Sequence, residues 1–253
     1  PPFFNVAFTP FIVALAVILP IGSTLPWKRA KRAHLSRLWG VAVFCLACVG
    51  LTWAMQTGRS LIGPVGLGLG VWLVIGVLIE LYQRTGRGMG KWRRLLRLPL
   101  ADWGKATAHA GLGITIFGVA GITAWQAEDI RVMAVGDSAE IAGFTLTLDN
   151  VEELRGPNYL TTMADIKLAR DGKFIANLHP ERRYYPVAEM PTTEAGIDSG
   201  IWRDVYVVVG DAQPEGGYAV RTFIKPLANW IWTGAIIMAM GGLLSLFDRR
   251  YRI

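Results

Sequence analysis

The sequence predicts an α+β membrane protein: about five transmembrane helices, with a small antiparallel β domain (a barrel or sandwich) inserted before the last helix. Three observations predict it. Hydrophobic residues make up 52% of the chain and charged residues only 18%, giving a mean hydropathy of +0.36. The apolar residues cluster in runs close to the ~20 residues that a bilayer span requires. Between the last two runs, about a hundred residues change to strand-like alternation with turn signals, an ordinary size for one domain.

The first apolar run, Phe3–Trp27, carries Pro10, Pro20 and Pro26, which predict a kinked or only partly inserted segment. It lacks the basic start and small-residue cleavage site of a signal peptide. Leu38–Met55, Leu61–Tyr82 and Trp103–Trp125 follow as uninterrupted spans, and Leu227–Phe247 closes the set. Residues 1–125 therefore form a helical transmembrane region, 126–226 a β-rich domain, 227–247 a final span and 248–253 a tail. Gly66 and Gly70 make a G-x-x-x-G in the third span, which reads as a helix-packing face.

Within 126–226, Phe144, Leu146 and Leu148 alternate with Thr145, Thr147 and Asp149, the rhythm of a half-buried strand. Ile166–Arg170, Asp171-Gly172 and Lys173–Leu178 read as a hairpin, because Asp-Gly suits a two-residue turn with positive φ. Asp204–Val209 and Tyr218–Ile224 form a second pair across a Pro/Gly-rich loop. Pro226 is expected to start the last helix, where a missing N–H does no harm.

Basic residues orient the chain. Lys28, Arg29, Lys31, Arg32 and Arg37 fill the first linker; Arg84, Arg87, Lys91, Arg93, Arg94 and Arg97 follow the third span; Arg249, Arg250 and Arg252 fill the tail. The Gln56–Ser60 turn has only Arg59. Positive-inside bias assigns the basic segments to the cytoplasm and residues 126–226 to the opposite side. The net charge of +7 is thus a topology signal and no argument for nucleic acid. Contact of the Lys91–Arg97 stretch with anionic membrane lipid competes with simple snorkelling of helix-end charges.

One ionisable side chain stands out. His109 lies inside the Trp103–Trp125 span, among Ala106, Ala110, Gly111 and Gly113. An intramembrane imidazole is a functional-site candidate by default, and neutral imidazole is the commonest side-chain metal ligand. The small neighbours admit either another helix or a flat macrocycle. Two readings stay open: a cofactor ligand, or a histidine hydrogen-bonded between packed helices. Counting from Asp102 at ~1.5 Å per residue puts its Cα roughly 10 Å into the helix.

Other candidates carry less. Cys45 and Cys48 form a C-x-x-C inside an apolar span with no adjacent cation or base, so small packing residues are expected. The 126–226 domain has no cysteine and no disulfide framework. Glu80 is expected to pair with the adjacent basic linker, and Lys105, near the membrane edge, to snorkel. His34 and His179 fall in solvent-facing segments. No Ser-His-Asp, Walker or clustered zinc pattern is present.

Several motifs extend the reading. His179-Pro-Glu-Arg-Arg-Tyr-Tyr, Met190–Asp198 and Arg203-Asp-Val-Tyr resemble the outer domain of the CcmF family, membrane haem lyase components of cytochrome c maturation. Lys225-Pro-Leu-Ala-Asn-Trp-Ile-Trp and Met240–Arg252 are similar to that family's carboxyl terminus, as is Trp103-Gly followed by Ala108-His109. Pro1-Pro-Phe-Phe-Asn resembles a segment from the family's interior. The chain lacks the family's tryptophan-rich outer loop, the WWD motif, and so resembles the carboxyl-terminal portion of a longer protein.

The resemblance implies a function and a site. His109 matches one of two helix histidines that ligate an intramembrane b-type haem, making it an axial ligand of the haem iron; the second ligand is expected outside this chain. The implied activity is holocytochrome c synthesis, the covalent attachment of haem to apocytochrome c, with quinol as a source of electrons. No catalytic residue is assigned. Implied partners are the amino-terminal remainder or a separate subunit, the haem chaperone CcmE and a CcmH-type partner presenting apocytochrome c. The implied location is the bacterial inner membrane, with 126–226 in the periplasm. Arg182, Arg183, Arg203 and the Met190–Asp198 loop are candidates for holding carboxylates or partner surfaces, against internal salt bridges. A non-catalytic membrane scaffold and a haem or small-molecule transporter subunit are the alternative functions.

Overall fold

The computed structural model describes residues 2–25, 32–86 and 90–248, with side chains except at 2–6 and 32–37. Lys28, Arg29, Lys31, Arg87, Arg249, Arg250 and Arg252, and the side chains of Arg32, His34 and Arg37, lie outside that description. The expected fold class is what the structure shows. Two compact units form, one from Pro1–Ala124 with Leu227–Ile253, the other from Trp125–Pro226.

The helical unit contains α1 (Pro2–Thr24), α2 (Arg32–Met55), α3 (Ile62–Arg84), α4 (Lys91–Leu96), α5 (Leu100–Trp125) and α6 (Ala228–Leu246). All except the short α4 are long and apolar enough to cross a membrane. α1 runs as one helix through Pro10 and Pro20, and its Ala7–Thr24 stretch is long and apolar enough to cross a membrane. A proline removes one N–H donor and disturbs the ladder over the preceding turn. Trp72 Nε1 of α3 donates to the Val17 carbonyl at 3.2 Å, one residue beyond the Ala16 carbonyl whose helical donor Pro20 removes.

α3 carries Leu67, Trp72, Leu73 and Val77, all buried. Trp72 packs with Leu38 and Cys45 of α2. Cys45 is buried and Cys48 partly so, and neither is in a disulfide, in keeping with a packing role. A Cβ at Gly66 would stand 3.1 Å from the Ala120 side chain, and one at Gly70 would stand 2.8 Å from the Gly113 carbonyl. The G-x-x-x-G therefore faces α5.

The second unit is a curled antiparallel β-sandwich. Its strands are β1 (Ala127–Met133), β2 (Ser138–Ile141), β3 (Phe144–Arg155), β4 (Leu160–Arg170), β5 (Lys173–Leu178), β6 (Glu181–Tyr185), β7 (Met190–Glu194), β8 (Gly196–Ser199), β9 (Arg203–Ala212) and β10 (Tyr218–Pro226). One sheet runs β1-β10-β9-β8; the other runs β2-β3-β4-β6-β7, with β5 also on β4. Inward residues of both sheets, among them Leu146, Leu148, Ile166, Leu168, Val205, Val207 and Val209, form one core. Phe144, Leu146 and Leu148 are buried in alternation, as their spacing demands.

The β4–β5 hairpin closes through Asp171 and Gly172, with φ of 49° and 73°. β9 and β10 pair antiparallel. Two expectations are corrected. Pro226 ends β10 opposite Arg203, and α6 starts at Ala228 after Leu227 turns the chain in a left-handed conformation, φ 59°. Met190–Asp198 is no loop: it holds β7 and the start of β8, because β6 and β9 offer ladder partners to it.

Candidate functional site

Glycine sets the position of α5. Gly104, Gly111 and Gly118 recur every seven residues on one face, opposite Gly241 and Gly234 of α6 and Leu227 just before it. A Cβ added at Gly111 would lie 2.7 Å from the Gly234 carbonyl, and one at Gly234 would lie 2.5 Å from the Gly111 carbonyl. The backbones are in contact, the use that small residues find in membrane helices. On another face, Gly113 meets the Gly70 carbonyl of α3, with a hypothetical Cβ 2.9 Å away. Of the small residues around His109, Gly111 and Gly113 are thus taken by neighbouring helices.

His109 sits one helical turn after Lys105 and one before Gly113. Its side chain is partly buried. Among the described residues its ring makes no hydrogen bond. A ring nitrogen without an internal partner, on a helix whose other faces are packed, is the arrangement an external ligand requires.

One turn toward the start of α5 lies an ionic cluster. Glu80 of α3 is 3% exposed, and its Oε1 accepts from Arg84 Nε at 3.0 Å and from Lys105 Nζ. Arg84 Nη1 also reaches Asp102 Oδ1 at 2.7 Å. Lys105 therefore does not snorkel; a buried carboxylate holds it, since an unpaired buried charge is far costlier than a paired one. Glu80 pairs with Arg84, the first of the adjacent basic residues, as expected, and with Lys105 of α5 besides. Glu80 Oε2 is buried without a partner. At the same end, Asp248 Oδ2 accepts from the Ala101 amide at 2.8 Å, satisfying an orphan donor of the first turn of α5 and complementing its dipole. Sequence reasoning missed Asp102 and Asp248 in this cluster. Their partners are 18 and 147 residues away, and no local pattern marks such pairs.

The residues fit one face of a haem iron: a single imidazole nitrogen free of internal hydrogen bonding, on a partly open helix surface. Among the described residues no second histidine shares that unit with a placed side chain.

In the β unit, the arginines singled out from the sequence are engaged internally. Arg182 pairs with Asp211 at 2.5 Å, bridging the two sheets. Arg183 donates to Glu181 at 2.8 Å and reaches Glu194 at 3.4 Å, with its guanidinium 4.7 Å over the Tyr159 ring. The hydrogen bond from Arg183 holds the Glu181 carboxyl below its ordinary range, helped by the Thr161 hydroxyl, and in turn raises the Arg183 pKa. Arg203 pairs with Asp198 and lies 4.6 Å over the Phe144 ring. His179 is half exposed and shares a 2.6 Å hydrogen bond with Asp165.

Comparison with known proteins agrees with this architecture. Residues 124–226 match the family described as the CcmF C-terminal beta-sandwich. The cytochrome c-type biogenesis protein ccl1 of Rhodobacter capsulatus is 56% identical, over 99% of this chain and 38% of its own length. CycK of Bradyrhizobium diazoefficiens is 37% identical over 100% of this chain and 39% of its own length. CcmF of Escherichia coli is 36% identical over 99% and 38%. A solved structure named Cytochrome c Heme Lyase CcmF shares the fold with a TM-score of 0.75 at 19% identity, covering 98% of this chain and 41% of that one. The chain spans about two fifths of the length of these relatives. With its β-sandwich, its membrane-length helices and relatives that are cytochrome c-type biogenesis proteins, the chain belongs to the CcmF family.

Proposed function

We propose that this chain is part of the membrane haem lyase that attaches haem covalently to apocytochrome c, and that His109 is one axial ligand of an intramembrane b-type haem. The second ligand lies outside this chain. The observation that carries the reading is the His109 imidazole: partly open, without an internal hydrogen bond, on a helix fixed by backbone contact on two other faces. A haem held there supplies one-electron redox chemistry within the membrane, tuned by its axial ligands.

The chain's own residues have separate tasks in this reading. The Gly104, Gly111 and Gly118 face locks α5 against α6, so the imidazole is presented at a set depth and angle. Glu80 and Asp102 together neutralise Lys105 and Arg84 one turn away, which keeps uncompensated cations away from the ligand. Electrons come from quinol. The β unit lies in the periplasm of a bacterium, with the helices in the inner membrane. There it works with the haem chaperone CcmE, a CcmH-type partner and apocytochrome c.

The test is a reduced-minus-oxidised spectrum of the full assembly carrying His109→Ala, beside His109→Met. The alanine variant is expected to lose the b-type signal while the β unit keeps its circular dichroism. The methionine variant is expected to keep haem at an altered potential, because the axial ligand sets it. An alanine variant with full haem content and an unchanged spectrum would return His109 to a packing role.

A further inference from the structure

The short helix α4 (Lys91–Leu96) joins two helices long enough to cross a membrane, α3 and α5. α3 has 23 residues, about 34 Å at ~1.5 Å per residue, against a hydrocarbon layer of about 30 Å. Its last turn at Arg84 and the first turn of α5 at Leu100 therefore stand at one surface of the bilayer. α4 cannot leave that surface. Only Arg97, Leu98 and Pro99 separate it from α5, a link of no more than about 15 Å. At its other end, Lys91 Nζ donates to the Tyr82 hydroxyl of α3 at 2.7 Å and stands 4.0 Å over that ring.

Two stripes run along α4. Trp92 and Leu96, four residues apart and so on one face, are 79% and 78% exposed. Arg93 and Arg97 form an adjoining stripe, Arg97 being the residue that caps the helix, and both are exposed. Neither guanidinium makes an ion pair or hydrogen bond with a described residue. The helical unit has no anion to spare for them: Glu80, Asp102 and Asp248 are its only acidic residues. Glu80 is taken by Arg84 and Lys105, Asp102 by Arg84, and Asp248 Oδ2 by the Ala101 amide. The β unit, with its own acids, joins α5 at Trp125, the opposite end of that helix. These arginines are not charges snorkelling from the end of a span, since they sit on a helix of their own.

Large apolar side chains beside a pair of guanidiniums, tethered at the level of the bilayer surface, suit an interfacial element. Tryptophan and leucine enter the boundary of the acyl chains, and the planar guanidinium fork matches phosphate. We infer that α4 and Arg97 form a binding site for an anionic phospholipid, with its headgroup phosphate between Arg93 and Arg97 and its acyl chains against Trp92 and Leu96. The inference uses neither His109 nor haem.

The experiment uses the full chain in a non-ionic detergent and native mass spectrometry, with phosphatidylglycerol or phosphatidylcholine added at matched concentrations. Phosphatidylglycerol is expected to bind about tenfold more tightly or better. Arg93→Gln and Arg97→Gln should each weaken it by about fivefold and leave the weaker phosphatidylcholine binding unchanged. Trp92→Ser should weaken both lipids. Arg59→Gln, an exposed arginine in the turn before α3, serves as the control and should bind normally. Equal affinity for the two lipids would overturn the proposal. So would a loss in Arg59→Gln as large as that in Arg97→Gln, or full binding by Trp92→Ser. Displacement of the lipid by inorganic phosphate at the lipid's own concentration would overturn it too, making the site one for free phosphate. A dimer of the chain that Leu96→Ser dissociates would give the face to a second copy and refute the lipid assignment.

Discussion

Substituting Gly111 by alanine is expected to displace α5 from α6 and to disturb His109 two residues away. The new Cβ would stand 2.6 Å from the Met238 amide nitrogen and 2.7 Å from the Gly234 carbonyl oxygen. Ordinary contact begins near 3.4 Å, so the backbones must part by about 0.8 Å, and both close atoms belong to backbone that cannot rotate away. Overpacking of this kind costs about 1–3 kcal/mol, set against a helix-propensity gain for alanine of about 1 kcal/mol. The net expectation is a loss of up to about 2 kcal/mol with a shifted haem spectrum in the full assembly. Gly50→Ala in α2 is the internal comparison, because nothing lies within 4 Å of its hypothetical Cβ. That variant should be neutral or more stable, by up to about 1 kcal/mol. Denaturant titration of both variants in the same detergent decides the matter. A Gly111→Ala chain as stable as the native one, with an unchanged spectrum, would refute the backbone-contact account of how His109 is positioned.

Three further outcomes follow from the same geometry. Glu80→Gln leaves Lys105 without its anion and Arg84 with Asp102 alone, and should destabilise the helical unit by about 1–3 kcal/mol, reduced from the cost at a fully buried pair because both cations are partly exposed; adding Lys105→Met should recover part of the loss in a double-mutant cycle. Glu181 titrates below its ordinary range, so its contribution to the β unit is complete at neutral pH and fades as pH falls below about 4. Glu181→Gln should flatten the acid side of a stability–pH profile measured by thermal unfolding, and an unchanged acid limb would count against the Arg183 contact. Single cysteines at Asp171 or Gln213, with Cys45 and Cys48 replaced by serine, should react with an impermeant thiol reagent in intact cells; labelling only after the membrane is opened would reverse the topology.

The sequence was most legible where a local repeat carries the information. Runs of about twenty apolar residues marked the helices, and period-two alternation marked Phe144, Leu146 and Leu148. Asp171-Gly172 announced its turn because that pair tolerates positive φ. The equivalent turn at Ala142-Gly143, with φ of 49° and 78°, went unread because alanine gives no such signal. β7 and β8 were read as loop because Met-Pro-Thr-Thr-Glu has no apolar alternation; an edge strand exposed on both faces needs none. Leu227 was equally silent, since a leucine in the left-handed region is held there by tertiary contact and not by preference.

By itself, then, the sequence determined the membrane class, the presence of an inserted β domain and His109 as the outstanding intramembrane residue, because each follows from hydropathy, periodicity or the cost of burying one imidazole. Only the tertiary structure decided what surrounds them. It put Gly111 against Gly234 and Gly113 against Gly70, gave Lys105 to Glu80 and joined Asp248 to the start of α5. These are contacts between residues far apart along the chain, set by which backbones can approach and which charges must be paired, and no local pattern encodes them.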